Sequence, residues 1–261
     1  MLQPWFSKLN DKKQYGKLHL SYEFFIDELP SGQVFLAGER PEFNSYRING
    51  VLLNATGIND FWIDDCFKKM PVPADALRSG RNEVTVDVTF MRTTNVEAIY
   101  LVGDFGVELD GTKRTLTALP QKLGCCDFAD RRMPFYTGAV TYRISPEDYK
   151  HITFLKADRI VISPVDHVGG CAKVTALGKT TVLGWDPYEA DVTEAFRQNA
   201  PIDVTVVGTR RNVFGPLHEY PAVAGGCGPG NFVTEGEWWT ENYSLISSGL
   251  RGIAFKAQVK K

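Results

Sequence analysis

Apolar residues recur at about every second position through most of the chain, rather than at the three-to-four spacing of an amphipathic helix. The pattern is clearest in HLSYEFFI (19–26), SYRING (45–50), NEVTVDVTF (82–90), AIYLVGDF (98–105), GAVTYRI (138–144), DRIVIS (158–163) and IDVTVVGT (202–209). Each run is short, rich in Val, Ile, Thr, Tyr and Phe, and bounded by Gly, Pro, Asn or Asp, the composition of strands joined by turns. Helix signals are confined to two single turns, PADALRSG (73–80) and DVTEAFRQN (191–199), each ending at Gly or Asn. The pattern predicts an all-β protein of sandwich class.

Those two turns also suggest an internal duplication. Tyr46–Gly50, Trp62, the helical turn at 74–82 and Val84–Val88 find counterparts in 172–178, Trp185, the turn at 190–196 and 202–206. Asn49-Gly50 is a dipeptide that tolerates positive φ, so it predicts a tight hairpin. The expectation is two tandem β-sandwiches, 1–110 and 111–261, divided somewhere in the loop-rich stretch 108–135. Trp185, read as the repeat of Trp62, is expected in a core rather than on a ligand platform.

A length of 261 residues leaves room for two domains of ordinary size, and 43% hydrophobic residues suffice for their cores. Lys and Arg number 29 against 31 Asp and Glu. So even a balance provides no basic field for nucleic acid or an anionic membrane, and neither partner is expected. Nothing approaches the roughly 20 apolar residues of a membrane span, and MLQPWFSKLNDKK lacks the apolar region of a signal peptide. A soluble chain is expected, with its location left open. The five cysteines, Cys66, Cys125, Cys126, Cys171 and Cys227, contain no CxxC pair and have no His at metal spacing, so all five are read as structural. No cofactor or metal is expected, although Asp64 and Asp65 after Trp62 leave a structural calcium open.

The densest candidate chemistry is Glu237-Trp238-Trp239-Thr240-Glu241-Asn242-Tyr243, beside the glycine-rich AGGCGPGN. Sugar rings present apolar C–H faces rimmed by hydroxyls, so they are recognised by flat aromatic surfaces flanked by carboxylates, amides or guanidinium groups. Strand alternation would send Trp238 and Trp239 to opposite faces, leaving one of them for a ligand. A second cluster, Arg210, Arg211, Asn212 and His218, follows the 202–209 strand, with Glu219 and Tyr220 next to it. Its guanidinium suits a sugar diol or a uronate, while Asn212 and His218 equally suit the tying down of a turn. Glu237 and Glu241, or Glu219, are the carboxylates a glycoside hydrolase would need as a pair. The chain holds no G-x-S-x-G or H-E-x-x-H, and its histidines, His19, His151, His167 and His218, are scattered.

Met133-Pro134-Phe135-Tyr136-Thr137-Gly138-Ala139-Val140-Thr141-Tyr142-Arg143, then Asp191-Val192-Thr193, then Asn212 to Gly215-Pro216-Leu217-His218, resemble the galactose-binding-like jelly rolls of large bacterial glycoside hydrolases. They are similar to the sugar-binding domain of family 2 enzymes and to C-terminal modules of family 106 rhamnosidase-like proteins. The resemblance spans most of 133–255, whereas 17–107 match only a generic sandwich. It implies a carbohydrate-associated accessory region whose partners are a polysaccharide and the catalytic domain of a larger enzyme. It does not imply catalysis by this chain. A binding module, a purely structural module and a stand-alone glycosidase therefore remain three distinct readings, with the ligand contacts of the first placed on Trp238, Trp239, Tyr243, Arg211, Asn212, His218 and Glu237.

Overall fold

The alternating runs form strands, and the strands divide into two sets with separate cores. The computed structural model describes residues 14–91, 94, 96–153 and 157–259, so the N-terminal stretch read for a signal region lies outside the described residues. The chain splits into two compact units, Met1–Leu119 and Pro120–Lys261.

The first unit contains Gln14–Ile26 (β1), Phe35–Glu39 (β2), Asn44–Ile48 (β3), Val51–Leu52 (β4), Phe61–Trp62 (β5), Asp64–Pro71 (β6), Gly80–Met91 (β7), Tyr100–Val102 (β8), Gly106–Asp110 (β9) and Lys113–Thr117 (β10). One sheet runs β4-β3-β7-β1-β10-β9 and the other β5-β6-β2-β8. Alternation decides which side chains face in: Val84, Val86 and Val88 of β7 are buried while Glu83, Thr85 and Asp87 lie on the outer face. The core joins Phe24, Ile26, Val84 and Val86 from the first sheet to Leu36 and Met70 from the second, a sandwich-like packing. Each such side chain contributes roughly 1.5–3 kcal/mol by leaving water. Asn49 and Gly50 adopt φ of 50° and 85°, the tight hairpin turn that the dipeptide predicts. A division at 110/111 would fall inside the β9–β10 hairpin; β10 also pairs in parallel with β1, which keeps the hairpin in the first unit as far as Leu119.

The second unit contains Cys126–Asp127 (β11), Ala139–Ile144 (β12), Pro146–Tyr149 (α1), Arg159–Val168 (β13), Cys171–Ala176 (β14), Lys179–Leu183 (β15), Ala190–Asp191 (β16), Thr193–Arg197 (α2), Ile202–Val207 (β17), Arg211–Phe214 (α3) and Gly249–Gln258 (β18). Its sheets run β12-β17-β14-β15 and β11-β18-β13-β16. Tyr142, Ile144, Val174, Val204 and Val206 of one sheet pack with Ile160, Ile162 and Leu250 of the other. The expected turn at 191–199 is α2. An Asx turn leads into it: the Asp191 carboxylate accepts the Thr193 N–H at 3.0 Å and the Thr193 hydroxyl at 2.6 Å, ahead of the N-cap Val192.

The tryptophan correspondence does not hold. Trp62 sits in β5 against Tyr100 (ring centroids 5.1 Å) and Phe67 (6.3 Å). Trp185 lies in the loop between β15 and β16 and is 80% exposed, so it is not a core residue. A strand placed Trp62 against neighbouring strands, whereas the loop carries Trp185 away from both sheets. Among the described residues no helix is long and apolar enough to cross a membrane.

Candidate functional site

The connection from β17 to β18, residues 208–248, is far longer than a link between neighbouring elements requires, and long loops of this kind inside compact domains are usually functional. It contains the short helix α3, a 3-10 turn at Pro229–Asn231 and otherwise irregular backbone. Hydrogen bonds hold it in shape. The segment Leu217–Tyr220 runs antiparallel to Trp238–Ser244: Tyr220 N–H donates to Trp238 O (2.8 Å), Thr240 N–H to His218 O (2.8 Å) and Ser244 N–H to Leu217 O (2.7 Å). Glu219 and Trp239 face each other across this ribbon.

At the base, Asn212 is 5% exposed, and its amide donates to Ile246 O (2.9 Å) while accepting Ile246 N–H (3.0 Å). Its side chain thus acts as an extra peptide group that fastens both ends of the loop. His218 donates through Nδ1 to Thr240 O at 2.9 Å, the carbonyl fixing the tautomer, and its ring lies 5.3 Å from that of Tyr243. Tyr243 also meets Phe135 edge-on at 5.1 Å. Arg211 donates through Nε to Val223 O (2.9 Å) and through Nη2 to Pro216 O (3.4 Å), and its Nη1 is buried. Asn212, His218 and Arg211 therefore shape the loop. Asp127 anchors its far end, accepting the Ser247 hydroxyl at 2.5 Å and the Arg251 guanidinium at 3.1 Å.

Above this base the ribbon opens a depression of about 470 Å³, lined by Tyr220, Glu237, Trp239, Asn242, Tyr243 and Ser244, with Ala222, Thr240 and Leu245 between them. That volume falls in the usual range of about 300–1,000 Å³ for small-ligand sites. Trp239 is 42% and Tyr220 67% exposed, so two aromatic faces remain available to a ligand. Trp238 is 54% exposed and does not line the depression; it lies in a turn before the isolated Trp239 bridge rather than in a strand, so strand alternation does not set the directions of the two indoles. Neither indole fills the sandwich core. Of the two carboxylates considered as a catalytic pair, Glu237 lines the depression and Glu241 does not. Glu219 instead takes both its oxygens to the Asn231 amide, at 3.1 Å each.

Spacing in the sequence brought forward Glu237, Trp239 and Tyr243. Asn242 stood inside that cluster without a contact assigned to it, and Ser244 was not singled out; its place at the depression follows from the ribbon pairing.

The other candidates are accounted for separately. Asp65 pairs with Lys68 (2.5 Å) and Asp64 accepts the Cys66 N–H (3.1 Å). Among the described residues no group of three or more His, Cys, Asp or Glu is placed to hold a metal. Burial pushes the thiols of Cys125 and Cys126 above the ordinary range, and that of Cys66 up to about 11, so the reactive thiolate is disfavoured at all three. No protein-family model matches the chain, and no curated protein matches it in sequence.

Proposed function

We propose that the chain is a non-catalytic carbohydrate-binding or accessory region of a glycoside hydrolase, built from galactose-binding-like jelly rolls and serving a catalytic domain of the larger enzyme. The observation that carries the reading is the depression in the 208–248 loop, where exposed Trp239 and Tyr220 stand beside Glu237, Asn242 and Tyr243. Aromatic faces take the apolar side of a sugar ring, and the carboxylate and amide take its hydroxyls. The resemblance of 133–255 to sugar-binding modules of such enzymes supports the same reading. A hydrolase would need two carboxylates flanking one bond, and the position of Glu241 outside the lining residues ranks that reading second.

Affinity electrophoresis of the intact chain through polysaccharide gels tests it, with reducing-sugar release assayed in parallel. Retardation without release is expected, and Trp239→Ala should weaken it about tenfold while leaving the urea midpoint in place. Trp238→Ala should weaken it much less. Retardation that persists in Trp239→Ala would sink the reading, and sugar release would replace it with the hydrolase.

A further inference from the structure

We infer that this depression, taken as a sugar site on the reading above, selects uncharged glycans and rejects uronate-bearing ones. From Glu219 to Leu250 the chain contains no Lys, Arg or His, while Glu219, Glu235, Glu237 and Glu241 all fall within that stretch. Of the residues lining the depression, Glu237 is the only ionisable carboxylate or base. None of the flanking basic residues lines the depression: Arg251 pairs with Asp127, and Arg210 is exposed on the helix side of the loop. Arg211, the group suited to grip a uronate, spends Nε and Nη2 on the carbonyls of Val223 and Pro216, and does not line the depression. His218 spends Nδ1 on Thr240 O. Glu219, across the ribbon from Trp239, is held by the neutral Asn231 amide rather than by a cation. A sugar carboxylate entering here would lose water without gaining a counter-charge, and would face Glu237 at close range.

The polar groups at the site suit hydroxyls instead. Ser244 lines the depression and is 7% exposed, and its Oγ has no hydrogen-bond partner among the described residues. A buried hydroxyl left without a partner is costly, and a sugar hydroxyl satisfies it as donor and acceptor at once. Asn242 offers the same dual capacity, and Glu237 accepts from a neutral hydroxyl as readily as it repels an anion.

The test uses galactan, galactomannan and mannan, each beside the same polymer oxidised at C6 to uronate, in affinity gels. At low salt the oxidised form of a retarding polymer is expected to bind about tenfold more weakly than its neutral parent. The gap should narrow as salt rises towards about 1 M, where the screening length is about 3 Å. Glu237→Gln should close most of the gap by strengthening retention on the oxidised polymer. Equal retention of wild type on both forms, lost in both with Trp239→Ala, would overturn the selectivity and leave the sugar site standing. A gap indifferent to salt and to Glu237→Gln would overturn it too, since charge would not be its cause. Absence of retardation by all six polymers, or retardation insensitive to Trp239→Ala, would remove the sugar site itself and the selectivity with it.

Discussion

The two units repeat one strand topology and differ in what they hang on it. The order β4-β3-β7-β1 in the first matches β15-β14-β17-β12 in the second, and β6-β2-β8 matches β16-β13-β18. A short helical turn precedes the long central strand in both: Ala74–Ala76 before β7, and α2 before β17. The hairpin turns agree as well, Asn49-Gly50 and Leu177-Gly178 both taking positive φ. The connection that follows the central strand then diverges. In the first unit it is 92–99, and in the second it is 208–248, the loop that carries the depression. A sandwich core constrains the strands and leaves this connection free to grow, so the unit with the long loop is the one to which we assign binding.

The corner between the helical turn and the central strand shows a second divergence, in how a buried joint is held. The first unit uses amides. Asn82, fully buried, accepts the Arg78 N–H (3.1 Å) and the Asn49 amide (2.7 Å), and donates to Arg78 O (2.7 Å) and Gly80 O (3.0 Å). Asn49 in turn donates to Ala76 O and accepts the Glu83 N–H. The second unit uses an aromatic. Tyr149 is fully buried and stacks on Phe196 at 4.9 Å and 27°, with Phe255 at 5.7 Å, while its hydroxyl donates to Ala200 O at 2.7 Å.

If the aromatic corner depends on packing more than on its hydrogen bond, truncation should separate the two contributions. Tyr149→Ala is expected to cost about 3–5 kcal/mol, and Tyr149→Phe, which keeps the ring, only about 1 kcal/mol, read as shifts in urea midpoint. Similar losses in both variants would show that the hydroxyl holds the corner. The amide corner should respond as a network. Asn82→Ala strands the Asn49 amide and the Arg78 peptide together, so about 2–3 kcal/mol is expected from one small side chain. A cost under about 0.5 kcal/mol in the same titration would mean that water replaces the amide, and the contrast between the corners would collapse.

This contrast also explains what the sequence revealed. Central strands with one face in the core, such as β7 and β17, announce themselves because Val and Ile alternate with polar residues. Asp64–Pro71 reads as Asp-Asp-Cys-Phe-Lys-Lys-Met-Pro, with Met70 alone fully buried, so β6 carries almost no period to detect. β18 is interrupted by Gly252 between Arg251 and Ile253 and stayed hidden although it pairs along β13 for nearly its whole length. Helix α1 was legible in principle: Ser145-Pro146-Glu147-Asp148 has the grammar of a capped first turn, and Asp148 does accept the Ser145 N–H at 2.7 Å. The duplication was visible in the turns and central strands, where local geometry dictates residue type. It was misread at Trp62 and Trp185, where one residue lies in a strand and the other in a loop. At the candidate site, residue type singled out the aromatics and Glu237, whereas Ser244 joins them through pairing between segments distant in sequence, which no local pattern encodes.

The smallest effect concerns the matched turns. Asn49 adopts φ of 50° and Leu177 φ of 48°, but a γ-branched side chain in the left-handed region carries a steric cost that Asn escapes. Leu177 is also 50% exposed, so removing it sacrifices little buried surface. Leu177→Asn should therefore stabilise the second unit's hairpin by roughly 0.5–1 kcal/mol, seen as a higher urea midpoint with an unchanged slope. The reverse exchange, Asn49→Leu, should destabilise by more than that gain, because it adds the steric cost and also removes the amide that Asn82 and Ala76 depend on. Opposite signs with unequal sizes would show that the two turns share a backbone geometry and differ in the chemistry attached to it; a neutral Leu177→Asn would mean that the second turn relieves its strain through local adjustment rather than residue type.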